Sequence, residues 1–251
     1  MIYTFFCLML LLLSGCAFMD MSTQDTAVPI HPDLLCAAVY ATQAIDLADT
    51  YYMEGPEELD PDVVDVDVMS GYKLGLGIFP RVDLIFNVAD YSKKSTDQGY
   101  NGEQAYMNYK SEHFELGIKY LVGRDKNIYF SVLPSVYVVN SSAIGRKKDG
   151  TMVDFDYFTR GIETQALLTY KPSQYFSLTT VARANFNSID KDINGTVYKA
   201  LRSNSFGFRA NMRLSYKFIH ITPETGIETI TIVHGKIIDK VIHSLGVGFQ
   251  F

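Results

Sequence analysis

The final stretch, Lys240-Val-Ile-His-Ser-Leu-Gly-Val-Gly-Phe-Gln-Phe251, decides how the rest of the chain is read. In an extended strand successive side chains point to opposite faces, so Leu245, Val247, Phe249 and Phe251 share one face. Ser244, Gly246, Gly248 and Gln250 share the other. One face suits hydrocarbon and the other a packed polar interior. The same two-sided pattern is sharpest at residues 205–218. There Phe206, Phe208, Ala210, Met212, Leu214, Tyr216 and Phe218 oppose Ser205, Gly207, Arg209, Asn211, Arg213, Ser215 and Lys217.

Working backwards, the alternation recurs at 219–229, 176–187, 161–171, 128–138, 114–120, 82–88 and 64–78. Short turns at Phe79-Pro80-Arg81, Gly123-Arg-Asp-Lys126 and Pro172-Ser-Gln174 alternate with polar stretches read as long loops: 91–104, 140–150 and 188–195. Aromatic residues gather beside the short turns: Phe79, Tyr120, Tyr170, Tyr175, Phe176, Tyr216, Phe218, Phe249 and Phe251. Such a ring suits one membrane interface.

A final strand of this kind, ending on an aromatic residue, resembles the closing strand of bacterial outer-membrane β-barrels. The resemblance implies an all-β, up-and-down antiparallel transmembrane β-barrel of about ten strands. Nine strands are evident from residue 64 onward. A closed barrel with both ends on the periplasmic side needs an even number, so a tenth is expected within residues 33–48. Local propensity there leans towards helix, with Asp33 as a possible N-cap. An extended reading instead places Leu35, Ala37, Val39 and Ala41 on one face.

At the front, residues 5–13 form an apolar run too short for a spanning helix. The Leu13-Ser14-Gly15-Cys16 sequence that follows it resembles a lipoprotein signal, although residues 1–4 carry no Lys or Arg. That resemblance implies cleavage before Cys16, lipid attachment at Cys16, and outer-membrane sorting because Ala17 follows. The expected organisation is a signal peptide at 1–15, a lipid anchor and unstructured periplasmic tether at 16–32, and a barrel domain at 33–251. Anchor, tether, weak first strand and residues 77–84 together resemble a loose group of small lipid-anchored outer-membrane barrels.

The 251 residues carry a formal charge of −6, and no basic stripe points to nucleic acid. Removing Cys7 with the signal and acylating Cys16 leaves Cys36 alone, so no disulfide framework is available. Five scattered His give no metal-site spacing, and no cofactor is expected. The acidic residues Asp60, Asp62, Asp65 and Asp67 lack the glycine and distal Glu of a calcium loop. Partners are therefore membrane lipid and, if the lumen is open, ions or small polar solutes.

The inward set is highly charged: Asp65, Asp67, Lys73, Asp83, Glu115, Lys119, Glu163, Lys171, Arg183, Arg209, Arg213, Lys217, Glu224 and Glu228. In a narrow barrel these groups either interlock as ion pairs or line a polar pore, with Asp65, Asp67, Lys73, Arg183, Arg209, Arg213 and Glu228 as its lining. Barrel enzymes of this membrane, proteases or lipid-modifying, place His with carboxylates or Ser at the outer rim. His113 beside Glu112, with His234, Asp154 and Asp156, is the set to test for such chemistry. No nucleophile motif accompanies them, so no catalytic residue is assigned. A soluble, lipid-anchored periplasmic barrel holding an apolar ligand is the alternative.

Overall fold

The computed structural model describes residues 25–32, 34–46, 68–98, 104–146, 150–193, 196–231 and 237–250. Ten strands close into one up-and-down barrel: β1 (Leu35–Asp46), β2 (Val68–Phe79), β3 (Val82–Gln98), β4 (Gln104–Asp125), β5 (Ile128–Arg146), β6 (Met152–Tyr170), β7 (Phe176–Ile193), β8 (Thr196–Tyr216), β9 (Ile219–Thr231) and β10 (Ile237–Gln250). Each strand pairs antiparallel with its sequence neighbours, and β1 pairs with β10 to close the ring. The expected tenth strand is therefore present at Leu35–Asp46, where tertiary pairing overrides the helical lean of the segment. Its register sets Val39 against Val247 and against Tyr72.

The outer wall is apolar. On β4, Phe114, Leu116, Ile118, Tyr120 and Val122 all point outward and are exposed. Nine residues at about 3.3 Å each, tilted by about 40°, give a band about 23 Å tall. The band ends together on neighbouring strands, because the outward residues Asp90, Glu112 and Asn140 stand opposite one another. Near this edge Arg160 lies 3.6 Å from Asp190 on the outer face. At the other end Phe79, Tyr120, Tyr170, Tyr175, Tyr216, Phe218 and Phe249 are exposed beside the short turns, with Phe218 and Phe249 stacked at 6.5 Å.

Three readings from sequence are corrected by the strand lengths. Residues 91–104 and 188–195 were expected to be loops, yet β3 runs to Gln98, β4 begins at Gln104, β7 runs to Ile193 and β8 begins at Thr196. β5 likewise continues to Arg146. Beyond the apolar band both faces of a strand can be polar, so alternation fades while the hydrogen-bonded ladder continues. The wall is consequently uneven: β3 to β8 are 17 to 22 residues long, whereas β1, β2, β9 and β10 are 12 to 14. Asp60, Asp62, Asp65, Asp67, His234 and Phe251 lie outside the described residues.

The short turns explain two further residues. Lys126 and Lys217 take positive φ of 47° and 55° as the first of two turn residues after β4 and β8. Lys217 is thus an exposed turn residue and not an inward one, because the strand ends at Tyr216 before the alternation can carry it inside.

Candidate functional site

The lumen holds two tiers. The tier nearer the short turns is built on residues 25–32, a segment bent at residues 27 and 28 that enters the barrel and crosses it before turning into β1. The sequence reading made this stretch part of an unstructured tether. In the structure Asp25, Thr26 and Ala27 are buried, and Ala27 is completely enclosed. Polar and carrying two prolines, the segment shows no alternation, and its backbone groups are satisfied by barrel side chains instead of a ladder.

Those contacts come from around the wall. Ala27 N donates to Thr169 Oγ1 at 2.7 Å, and Ser131 Oγ donates to Ala27 O at 2.7 Å. Lys119 Nζ donates to Val28 O at 3.2 Å, and Ile30 N donates to both carboxylate oxygens of Asp83 at 3.1 Å. Asn211 Nδ2 donates to Asp25 O at 3.0 Å, while the Asp25 carboxylate pairs with Lys73 Nζ at 2.5 Å. Lys119 also pairs with Asp83 at 2.8 Å. The Ala27 methyl packs into a small apolar cluster of Ile85, Leu133, Leu167 and Val181. Strands β2, β3, β4, β5, β6 and β8 all hold the segment. Below it, burial and then repulsion from Arg213 and Arg124 hold the Lys171 ammonium under the usual lysine range.

The second tier lies farther from the short turns. Arg183 Nη2 binds Glu163 Oε2 at 2.6 Å, and its Nη1 lies 3.8 Å from Glu228 Oε2. Arg209 binds the same Glu228 oxygen, and Ser205 Oγ donates to Glu228 Oε1 at 2.6 Å. With its amide nitrogen towards Glu163 at 2.7 Å, Asn185 accepts from Arg183 Nε at 3.1 Å. Gln165 Nε2 donates to Glu163 Oε1 at 2.5 Å. Two guanidinium groups and two carboxylates thus share one cluster. Beside it Tyr40 Oη donates to Asn87 Oδ1 at 2.7 Å, and Asn87 Nδ2 donates to Glu115 Oε2 at 3.1 Å. Tyr40 lies across Gly71 and Tyr137 across Gly161, each filling space that a Cβ on the glycine would need.

Of the residues singled out from sequence, Lys73, Arg183, Arg209 and Glu228 point inward and are buried, and Arg213 is inward and half-buried. Lys73 belongs to the lower tier and the other three buried groups to the upper. Asp65, Asp67 and Cys16 lie outside the described residues. Among the described residues, the rim set does not assemble. His113 is buried inside the lumen, stacked on Tyr137 with ring centroids 5.3 Å apart, while adjacent Glu112 points outward. Neighbours in a strand face opposite sides, so the carboxylate near His113 is Glu115, at 3.8 Å. Asp154 and Asp156 stand on the outer face of β6. Sequence reading missed the uncharged partners Tyr40, Asn87, Asn185 and Ser205, although each occupies an inward position of its strand. It also missed Lys240, buried opposite Glu228 across the β9–β10 ladder.

This interior argues against the soluble alternative. A barrel holding an apolar ligand in water needs apolar residues inside and polar ones outside, and this chain has the reverse. A groove of about 280 Å³ lies on the outer wall, where Phe130 and Phe208 flank Ala166, Thr180 and Ala182.

Among solved structures, the chain is similar to the outer membrane protease OmpT from Escherichia coli, with a TM-score of 0.53 and 10% identity over 91% of this chain and 100% of that one. It is also similar to the translocator domain of the autotransporter NalP from Neisseria meningitidis, with a TM-score of 0.49 and 12% identity over 86% and 88% of the two chains. The likeness to OmpT shows the fold, a closed antiparallel barrel, and nothing of the chemistry. No protein-family model matches the chain, and no curated protein matches it.

Proposed function

We propose that the chain is a bacterial outer-membrane β-barrel whose lumen is closed at rest, serving as a membrane-embedded scaffold for the tall polar wall of β3 to β8. The apolar band matches a hydrocarbon layer in height and faces outward on every side, which supports the membrane reading. The observation that carries closure is the crossing of the lumen by residues 25–32, bonded to strands on opposite sides. Above that segment the Glu163–Arg183–Glu228–Arg209 cluster fills a second level with paired charge. Purified full-length protein in planar bilayers is expected to give no steady conductance. A steady ionic current from protein with heat-modifiable gel migration would replace this reading with the narrow polar pore, in which Arg183, Arg209 and Glu228 set ion preference.

Lipid attachment at Cys16 belongs to the same proposal. Cys16 and Asp25 are nine positions apart, a reach of about 30 Å when extended, so an anchor outside the mouth is compatible with a segment held inside it. Metabolic labelling with a fatty acid should mark the wild type and not Cys16→Ala.

A further inference from the structure

We propose that the lumen wall beside the short turns is a peptide-binding site, fitted to a short segment with an acidic residue two positions ahead of a small one, and that residues 25–30 occupy it as a tethered ligand. Nothing in this proposal depends on whether the barrel conducts or stands in a membrane.

Three kinds of observation converge. First, the wall reads backbone. Thr169, Ser131, Lys119, Asp83 and Asn211 each bond a main-chain group of the segment, so the site recognises a peptide as a peptide. Second, two side chains are selected. Ala27 is sealed among Ile85, Leu133, Leu167 and Val181, where a longer side chain has no room. Asp25 meets the buried ammonium of Lys73 at 2.5 Å. Third, the wall is cut away where the segment passes. A Cβ at Gly75 would stand 2.6 Å from Ile30 Cδ1, and one at Gly77 would press on the carbonyls of Ile30 and His31. A closed barrel offers no sheet edge, so this mode differs from recognition by strand addition and relies on side chains throughout.

The tether explains why a free peptide does not simply take the site. A ligand joined by a short linker competes at an effective concentration in the millimolar range. Exchange therefore requires that the resident segment be weakened. The Ala27→Arg variant does this by making residue 27 too large for its pocket, and Asp25→Lys does it by setting a second cation against Lys73. Both leave every strand unchanged.

The test uses full-length protein in detergent and a fluorescein-labelled synthetic peptide of residues 24–32, Gln-Asp-Thr-Ala-Val-Pro-Ile-His-Pro. Anisotropy should show saturable binding to Ala27→Arg and to Asp25→Lys, with wild type at least about tenfold weaker because its own segment fills the site. A peptide carrying Lys in place of the aspartate should lose binding to Ala27→Arg and regain it in Ala27→Arg combined with Lys73→Glu. Three results would overturn the proposal: no binding to either heat-modifiable variant, equal binding to variants and wild type, or indifference to the charge exchange. Equal binding would mean attachment to the outer surface or the micelle. Because the readout is anisotropy in detergent, a failure here is distinct from a conducting barrel in the bilayer experiment.

Discussion

The two tiers of the lumen are both polar and both buried, yet they are held in different ways. In the upper tier side chains of the wall bond one another: Arg183 and Arg209 to Glu163 and Glu228, with Asn185 and Ser205 closing the gaps. In the lower tier the wall bonds the backbone of a segment joined to the barrel through residues 32–35. The difference decides what happens when a contact is lost. A wall charge whose partner is removed has nowhere to go and stays desolvated. A tethered segment can swing out, and water then satisfies the groups it leaves. The lower tier therefore has an upper limit on the cost of any single change, set by the free energy of releasing the segment.

The largest effect is expected from Glu228→Leu, which removes the carboxylate that Arg183 and Arg209 share. Unfolding by urea in lipid vesicles should show a loss of about 3–5 kcal/mol. A loss below about 1 kcal/mol would mean that water reaches this tier and that the contrast with the lower one is wrong. Next comes Asp25→Ala, which removes the partner of Lys73 from the segment. The expected cost is about 1–2 kcal/mol, accompanied by new proteolytic cleavage within residues 25–32. A cost equal to that of Glu228→Leu, without cleavage, would break the comparison, because it would show a segment that cannot leave. Thr169→Val takes away the acceptor of the Ala27 amide while preserving shape, and should cost about 1 kcal/mol with faster hydrogen exchange at Ala27. The smallest effect tests a site outside both tiers. Lys217→Gly relieves a left-handed residue in the β8–β9 turn and should raise stability by about 0.5 kcal/mol, with the exchange and cleavage of the segment unchanged.

Much of the barrel was legible because lipid and lumen impose a strict two-residue period. The alternation of residues 205–218 displays both faces of β8, and counting strands recovered β1 against its local helical lean. The readings that failed share a cause. Residues 91–98 are strand, but outside hydrocarbon the period carries no hydrophobic signal, so a polar strand and a polar loop look alike. His113 was set beside Glu112 by adjacency, although the period already in use places Glu115 on its side of the wall. Residues 25–32 had no local signal at all, since what holds them is spread over positions from Lys73 to Asn211. Inward glycines at 75 and 77 were the available clue: a wall stripped of side chains at two successive inward positions implies something lying against it.

The seam between β1 and β10 joins the two ends of the chain, and it forms only when all other pairings are available to bring those ends together. Because the lumenal segment runs directly into β1, it arrives at the barrel with the strand that closes it. Zipping of the seam and capture of the segment should then be a single event in time, with the Ala27 amide gaining protection in step with the shift to heat-modifiable migration during refolding. The molecule would then wrap its last strand around its own ligand, and the segment would report, from inside, that assembly had finished.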